Sequence, residues 1–358
     1  MGSRLRISVL SVVVAVALVL GLIGVTRGRA DATPALQPVG AQELLASAIN
    51  ASARPFTISG SVTSTVDVGL PSLPAGLGGG ATGPAAMLLG TQDYRVWRSP
   101  DGVRLAHLTD LGEQVAVANA TDAWFWDSNA MRAVHLAAPT ASSGGDHPAW
   151  FAPILGGTGA TGATGAPKLD PSSLASVALL GLAPYADVSV GTTAVVAGRP
   201  VYDLILTPTA PDTLIGRITV SIDAANRLPL QLAITPKGAD APAVRIGFTS
   251  VSFDPIDPSM FDFVPPPGAT VVEPSPSSHA GRTEGHLDGH PQTVVFGSGF
   301  GTRIAVKLTR PLPAEAGALL PFGGPLFSVM TTRAGGATWL LAGPVGLDTL
   351  REDATKLP

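Results

Sequence analysis

Two stretches of strict alternation set the limits on how this chain can fold. In Arg217–Asp223, Ile218, Val220 and Ile222 fall on one side, while Arg217, Thr219, Ser221 and Asp223 fall on the other. In Leu228–Thr235, Leu228, Leu230, Leu232 and Ile234 share a side. A period of two marks a strand with one buried face. Between them, Asp223-Ala224-Ala225-Asn226 supplies the turn residues of a hairpin. Tyr202–Leu206 before and Val244–Phe253 after extend the pair to an antiparallel meander of four strands within Val195–Pro267. The sheet has an apolar face, and something must cover it.

The rest of the chain supplies both more sheet and candidate covers. Gly40–Ser52 places Leu44, Leu45, Ala48 and Ile49 at helical spacing, which predicts a short amphipathic helix. Phe56–Leu70 alternates, and Gln92–Arg98, Val103–Leu108, Glu113–Ala118, Ala123–Trp126 and Arg132–Ala137 read as further strands, so the first half is also a meander. Asp170-Pro171 opens a second helix, with Asp at the cap, Pro in the first turn and Pro184 as its stop. Leu174, Val177, Ala178 and Leu182 mark its buried side. Leu70–Ala85 and residues 139–167 are rich in Gly and read as loops. Residues 271–291 form a polar linker, and strands at Thr293–Phe296, Arg303–Thr309, Leu326–Arg333 and Thr338–Leu341, with a helix at Gly346–Lys356, predict a small C-terminal domain at 292–358. The expected order is therefore an export segment at 1–32, a main domain at 40–270, a linker and a small domain. Sequential strands with two helices free to lie on them make an α+β fold built on one curved sheet.

The N-terminus gives an address. Arg4 and Arg6 precede an uncharged apolar run from Ile7 to Thr26, and Arg27 and Arg29 follow. This is the pattern of an export signal, either cleaved near Ala30-Asp31-Ala32 or kept as an anchor. The chain is thus expected outside the cytoplasmic membrane, anchored or secreted.

Composition removes several function classes. The net charge is −4 with no basic stripe, so nothing attracts nucleic acid. There are no cysteines, which excludes disulfides, thiolate metal sites and cysteine nucleophiles. His279, His286 and His290 fall in the polar linker, where an ordered metal site is not expected. His107 alternates onto the side of Val103 and Leu105 and reads as a satisfied core histidine. Gly297-Ser298-Gly299-Phe300-Gly301 is followed by Thr302, which breaks the dinucleotide-binding spacing. No pattern of a P-loop, a zinc protease or a nucleophile elbow occurs, so no catalytic residue, cofactor or metal is assigned. What remains is apolar surface. Trp97, Trp124, Phe125, Trp126, Trp150 and Phe151 gather in the first half, as core or as the wall of an acyl-chain cavity.

Five segments carry a resemblance: Asp122–Trp126 (DAWFW), Val196–Pro208 (VAGRPVYDLILTP), Ile222–Leu232 (IDAANRLPLQL), Val244–Phe253 (VRIGFTSVSF) and Met260–Pro267 (MFDFVPPP). They resemble exported LolA-like proteins of actinobacterial type, a group related to the lipoprotein carrier LolA and to the N-terminal domain of the sigma-E regulator RseB/MucB. The signature is Ala197, Gly198, Arg199, Tyr202, Leu204, Leu206 and Pro208. The resemblance implies an unclosed antiparallel β-barrel of about eleven strands, with helices across the concave side and a hydrophobic cavity between. It implies a non-enzymatic, extracytoplasmic binder or carrier of lipid or lipoprotein acyl chains. The alternative it offers is an RseB-like regulator whose partner is an anti-sigma factor or a membrane transporter. Candidate cavity residues are Trp97, Trp124, Trp126, Leu204, Leu206, Ile218, Val220, Ile222, Leu230 and Leu232.

Overall fold

The computed structural model describes residues 35–69, 90–109, 112–137, 171–273, 292–309, 312 and 317–358. The expected export segment, the two Gly-rich stretches, Trp150, Phe151 and the linker histidines lie outside the described residues.

The alternating stretches form strands. In chain order they are β1 (Ile58–Val66), β2 (Gly90–Ser99), β3 (Gly102–Thr109), β4 (Gly112–Asn119), β5 (Asp122–Asp127), β6 (Arg132–Ala137), β7 (Ala186–Val196), β8 (Arg199–Pro208), β9 (Ile215–Asp223), β10 (Pro229–Pro236), β11 (Val244–Ser252) and β12 (Thr270–Val272). These twelve make one sheet in the order β12-β6-β5-β4-β3-β2-β1-β11-β10-β9-β8-β7. Two meanders, β1–β6 and β7–β11, are joined where β1 pairs antiparallel with β11. The count is one more than expected, because β12 adds to the edge strand β6 in parallel. The sheet does not close, since β12 and β7 are its two edges. It curls strongly, and β7 comes within 8 Å of β11 although three strands separate them in pairing order.

Two helices, α1 (Ala41–Ala53) and α2 (Pro171–Leu182), pack on one face of this sheet. Leu44 and Ala48 of α1 and Ala175 and Leu179 of α2 meet Tyr202, Leu204, Leu206, Ile218, Val220, Ile222 and Leu232 in a single core. Both helices thus lie over the β7–β11 half. The other half buries side chains on both faces, with Val96, Val103 and Ala118 on the helix-bearing one. After β11 the chain crosses back as a strap, and a 3-10 turn at Pro258–Phe261 sets Phe261 against Ala106, Val115, Val117, Trp126 and Ala133. Asp257 caps that turn by accepting from the Ser259 amide at 2.9 Å. Gly102 lets the strap approach, since a Cβ there would lie 2.7 Å from the Phe261 ring. The architecture is the one the resemblance implies: an unclosed, curled antiparallel sheet with helices on one face.

A second sheet follows, of β13 (Thr293–Phe296), β14 (Arg303–Lys307), β15 (Phe322–Gly323), β16 (Ser328–Ala334) and β17 (Ala337–Gly343), in the order β13-β14-β17-β16-β15. Helix α3 (Leu347–Ala354) lies on it, and Ala305, Trp339, Leu341, Val345 and Leu350 form its core.

The signature residues have local physical roles. Ala197 and Gly198 both take positive φ, 51° and 75°, the geometry of a two-residue hairpin turn between β7 and β8. Arg199 forks onto the carboxylate of Asp223, which is fully buried. That carboxylate also accepts from the amides of Ala225 and Asn226 at 2.9 and 2.7 Å, so one group fixes both hairpins. The Tyr202 hydroxyl donates to Gln37 at 2.8 Å, and the Arg227 guanidinium lies over its ring.

Burial pushes the Asp223 carboxyl up, but Arg199 and the two turn amides outweigh it and hold the carboxyl below its ordinary value. A carboxyl depressed in the folded state stabilises above its unfolded pKa, and that contribution is lost as pH falls through the folded one. Asp223→Asn is therefore expected to cost about 2–3 kcal/mol at pH 7. The gap to wild type should shrink as the pH falls below about 4. Urea unfolding of both proteins at pH 7 and pH 3 measures it; a gap independent of pH would refute the assignment.

Candidate ligand-binding site

Strand register defines three rows of side chains on the helix-bearing face of β1–β6. Val62, Tyr94, His107, Gln114 and Asp127 are successive cross-strand neighbours and make the first row. The second is Gly60, Val96, Leu105, Ala116, Phe125 and Val134. The third is Ile58, Arg98, Val103, Ala118, Ala123 and Leu136. The last two rows are mainly apolar, and the strip from β3 to β6 has a distinct profile. Its centre is small, at Ala116, Ala118 and Ala123, and its rims are larger, at Leu105, Phe125, Val134 and Leu136.

Val103, Ala116, Ala118 and Ala123 of that strip are buried, and Leu105 packs against the cluster of Val96, Val201 and Phe248. Val103, Ala118 and Ala123 cluster with Leu136, and all four belong to the sheet itself. The principal strand contacts of α2 are β10 and β11, and those of α1 are β7 and β8. Arg98 marks the boundary, reaching Ser173 of α2 by a hydrogen bond while its guanidinium stacks over Phe56. The strip is an apolar trough with an alanine floor beside the helix-covered core.

The ten predicted cavity residues fall into three places. Leu204, Leu206, Ile218, Val220, Ile222 and Leu232 lie together beneath α1 and α2. Leu230 sits in a separate cluster with Ile58, Val62, Val96, Val201 and Phe248, where the β7–β8 hairpin end meets β1, β2 and β11. Trp126 is in the strap core, and Trp97 and Trp124 are half-buried against it. Register puts these three tryptophans on the face opposite Leu204, so no single cavity on one face collects all ten. The Trp124 ring stacks on His135 at 4.1 Å, and His135 in turn bonds Asp122 at 2.7 Å. Of the trough residues, Phe125 was named with the aromatic group, while Leu105, Ala116, Ala118 and Leu136 were missed because alternation identifies two faces without saying which is covered.

The glycine-rich Gly297–Gly301 stretch has a packing role in this fold. It forms a 3-10 turn whose Phe300, 2% exposed, enters the core under α1 and α2. Gly299 has φ 52°, and a Cβ there would lie 2.3 Å from the Tyr185 ring. The Leu214 amide donates to Pro344 at 2.7 Å, so the second sheet is tied to the first by backbone as well.

Chemically the trough is quiet. Burial raises the Tyr94 phenol to about 12, which keeps it a neutral hydroxyl. Among the described residues no group of three His, Asp or Glu side chains is placed to hold a metal ion. No described helix is long and apolar enough to cross a membrane.

No family model and no curated protein matches the chain. Solved structures do. The MucA/MucB complex of Pseudomonas aeruginosa aligns over 88% of this chain and 96% of its own, at 15% identity and a TM-score of 0.48. A second MucB structure aligns over the same 88%, at 14% identity and a TM-score of 0.45. A LolA superfamily protein from Nitrosomonas europaea aligns over 63% of this chain and 99% of its own, at 9% identity and a TM-score of 0.25.

Phe300→Ala is expected to cost about 3–5 kcal/mol, the usual penalty for emptying a buried aromatic site. Urea denaturation of the whole chain measures it, and a loss under about 1 kcal/mol would show that the ring is not part of the core.

Proposed function

We propose that this chain is a non-enzymatic binder of acyl chains, working outside the cytoplasmic membrane, with the trough on β3–β6 as its site. The observation that carries the reading is the apolar floor of Val103, Ala118 and Ala123, which among the described residues clusters with Leu136 of the same sheet. Apolar groups cleared of water gain about 0.8 kcal/mol per methylene. Roughly twelve buried methylenes therefore supply about 10 kcal/mol. Association costs about 4–15 kcal/mol, so long chains bind and short ones do not. Few polar groups line the two apolar rows, which gives affinity without strict choice of chain. The extracytoplasmic location rests on the basic and apolar pattern of residues 4–29. The organisation rests on the polar composition of 271–291 between the two sheets.

A second reading, a regulator that binds an anti-sigma factor or a membrane transporter, is favoured by one feature of the second sheet. Val295 and Ile304 are direct cross-strand partners and are 60% and 43% exposed. An exposed apolar pair on a short edge sheet suits a protein partner.

The test of the first reading is Ala116→Phe, which fills the trough floor. Wild type purified from its membrane fraction should carry extractable acyl lipid and bind a fluorescent fatty-acid probe. The variant should lose at least tenfold in probe affinity while the stability of the lipid-free protein changes by less than about 1 kcal/mol. Unchanged binding together with a loss of about 1–3 kcal/mol would mean the chain fills its own trough, and the reading fails.

A further inference from the structure

We propose that the first row of the helix-bearing face is a head-group subsite, and that His107 Nδ1 accepts a hydrogen bond from a neutral hydroxyl of a bound amphiphile. The inference rests on the acyl-binding reading and deepens it.

The row is polar where its neighbours are not. Tyr94, His107, Gln114 and Asp127 lie side by side on β2, β3, β4 and β5, next to the apolar row of Leu105, Ala116 and Phe125. His107 and Gln114 are 6% and 4% exposed. Polar groups at such depth are kept only where their hydrogen bonds are made. Most are. Gln114 donates its amide to Asp127 at 2.9 Å, and the Asp127 carboxylate also accepts from the amides of Asn129 and Ala130 at 2.9 and 3.1 Å. His107 Nε2 meets Gln92 Oε1 at 2.8 Å, and the ring packs on Tyr94 with centroids 4.9 Å apart.

The exception is His107 Nδ1, a buried ring nitrogen with no partner among the described residues. Its chemistry is fixed by the other nitrogen. Gln92 Oε1 is an acceptor, so Nε2 carries the proton and Nδ1 presents a lone pair. What completes the site must donate. A hydroxyl does so without bringing charge. A carboxylate cannot donate, and it would also sit two strands from the Asp127 carboxylate, roughly 10 Å away. Leu105 is two residues along β3 from His107, about 7 Å on the same face. A hydroxyl on Nδ1 therefore leaves the attached chain at the start of the trough.

The test compares 1-monooleoylglycerol, methyl oleate and oleate for binding to the delipidated full chain by isothermal titration. These probes share one acyl chain and differ at the head. Wild type should bind monooleoylglycerol at least tenfold more tightly than methyl oleate or oleate, and His107→Leu should lose that preference while still binding methyl oleate. In wild type labelled with 15N-histidine, monooleoylglycerol should shift the unprotonated Nδ1 resonance and methyl oleate should not, a readout that does not depend on the variant folding. Equal binding of the esters by wild type, or a preference that survives His107→Leu, overturns the subsite and leaves the acyl site standing. Failure of all three probes to bind overturns both.

Discussion

The pairing of β1 with β11 is the contact on which the other arrangements depend. It joins Ser59–Val66 to Val244–Ser252, segments almost two hundred residues apart, and makes one sheet of the two meanders. Its register decides which residues of β2–β6 share a face with Leu204 and Val220. A slip by one residue would turn every side chain of one half to the wrong side. A bulge between Ser61 and Val62 lets the register shift once while Val62 still meets Phe248. The ordering cost of so distant a pairing is large, and the local hairpins meet part of it in advance. Arg199, Asp223 and the turn at Ala197-Gly198 hold the β7–β8 and β9–β10 hairpins in shape whatever β1 is doing.

Once that register is set, the two halves take different covers among the described residues. The β7–β11 half is covered by α1, α2 and the Phe300 ring, and its wall is built of Leu, Ile and Val. The β2–β6 half is covered on the other side by the strap, with Phe261 and three tryptophans as its bulk. With this division, the described residues at the β3–β6 end of the helix-bearing face form a cluster drawn from the sheet, Val103, Ala118 and Ala123 with Leu136. A binding trough here does not need a hollow barrel. It needs only a sheet long enough that one pair of helices cannot cover it.

How far the sequence announced this depends on which physical signal each element carries. Strands with unbroken alternation, such as Arg217–Asp223, were legible because period two survives in the side chains. Strand β7 was not, since the register shift between Val190 and Thr193 breaks the alternation. Strand β12 is three residues long and carries no period at all. The signature residues were recognisable as a motif, and the structure supplies a reason for six of the seven: two positive φ values, one buried ion pair, the Tyr202 hydrogen bond and two core leucines. Site residues were harder. Apolar residues that line a core and those that line a trough look alike in sequence, and the difference lies in what the other layer covers. His107 was read as a core histidine with its bonds made. Its Nε2 fits that reading and its Nδ1 does not, a distinction invisible without the partner strand.

Side-chain size along the helix-bearing face is the last link between fold and use. A helix packs on a sheet at roughly 10 Å, and the gap is filled by both layers. Under α1 and α2 the sheet contributes Leu204, Leu206, Ile218 and Ile222, each at 2% exposure or less. On β4 and β5 the corresponding positions are Ala116, Ala118 and Ala123. Alanines cannot fill such a gap from below, so a helix laid there would leave a void, and voids cost stability in proportion to their volume. An acyl chain is about as thick as a side chain and far thinner than a helix. A floor of alanines rimmed by Leu105, Phe125 and Leu136 therefore suits a flexible guest better than a further element of the fold. The polar row of His107 and Gln114 closes one side of that floor, which would give a guest a defined end as well as a length.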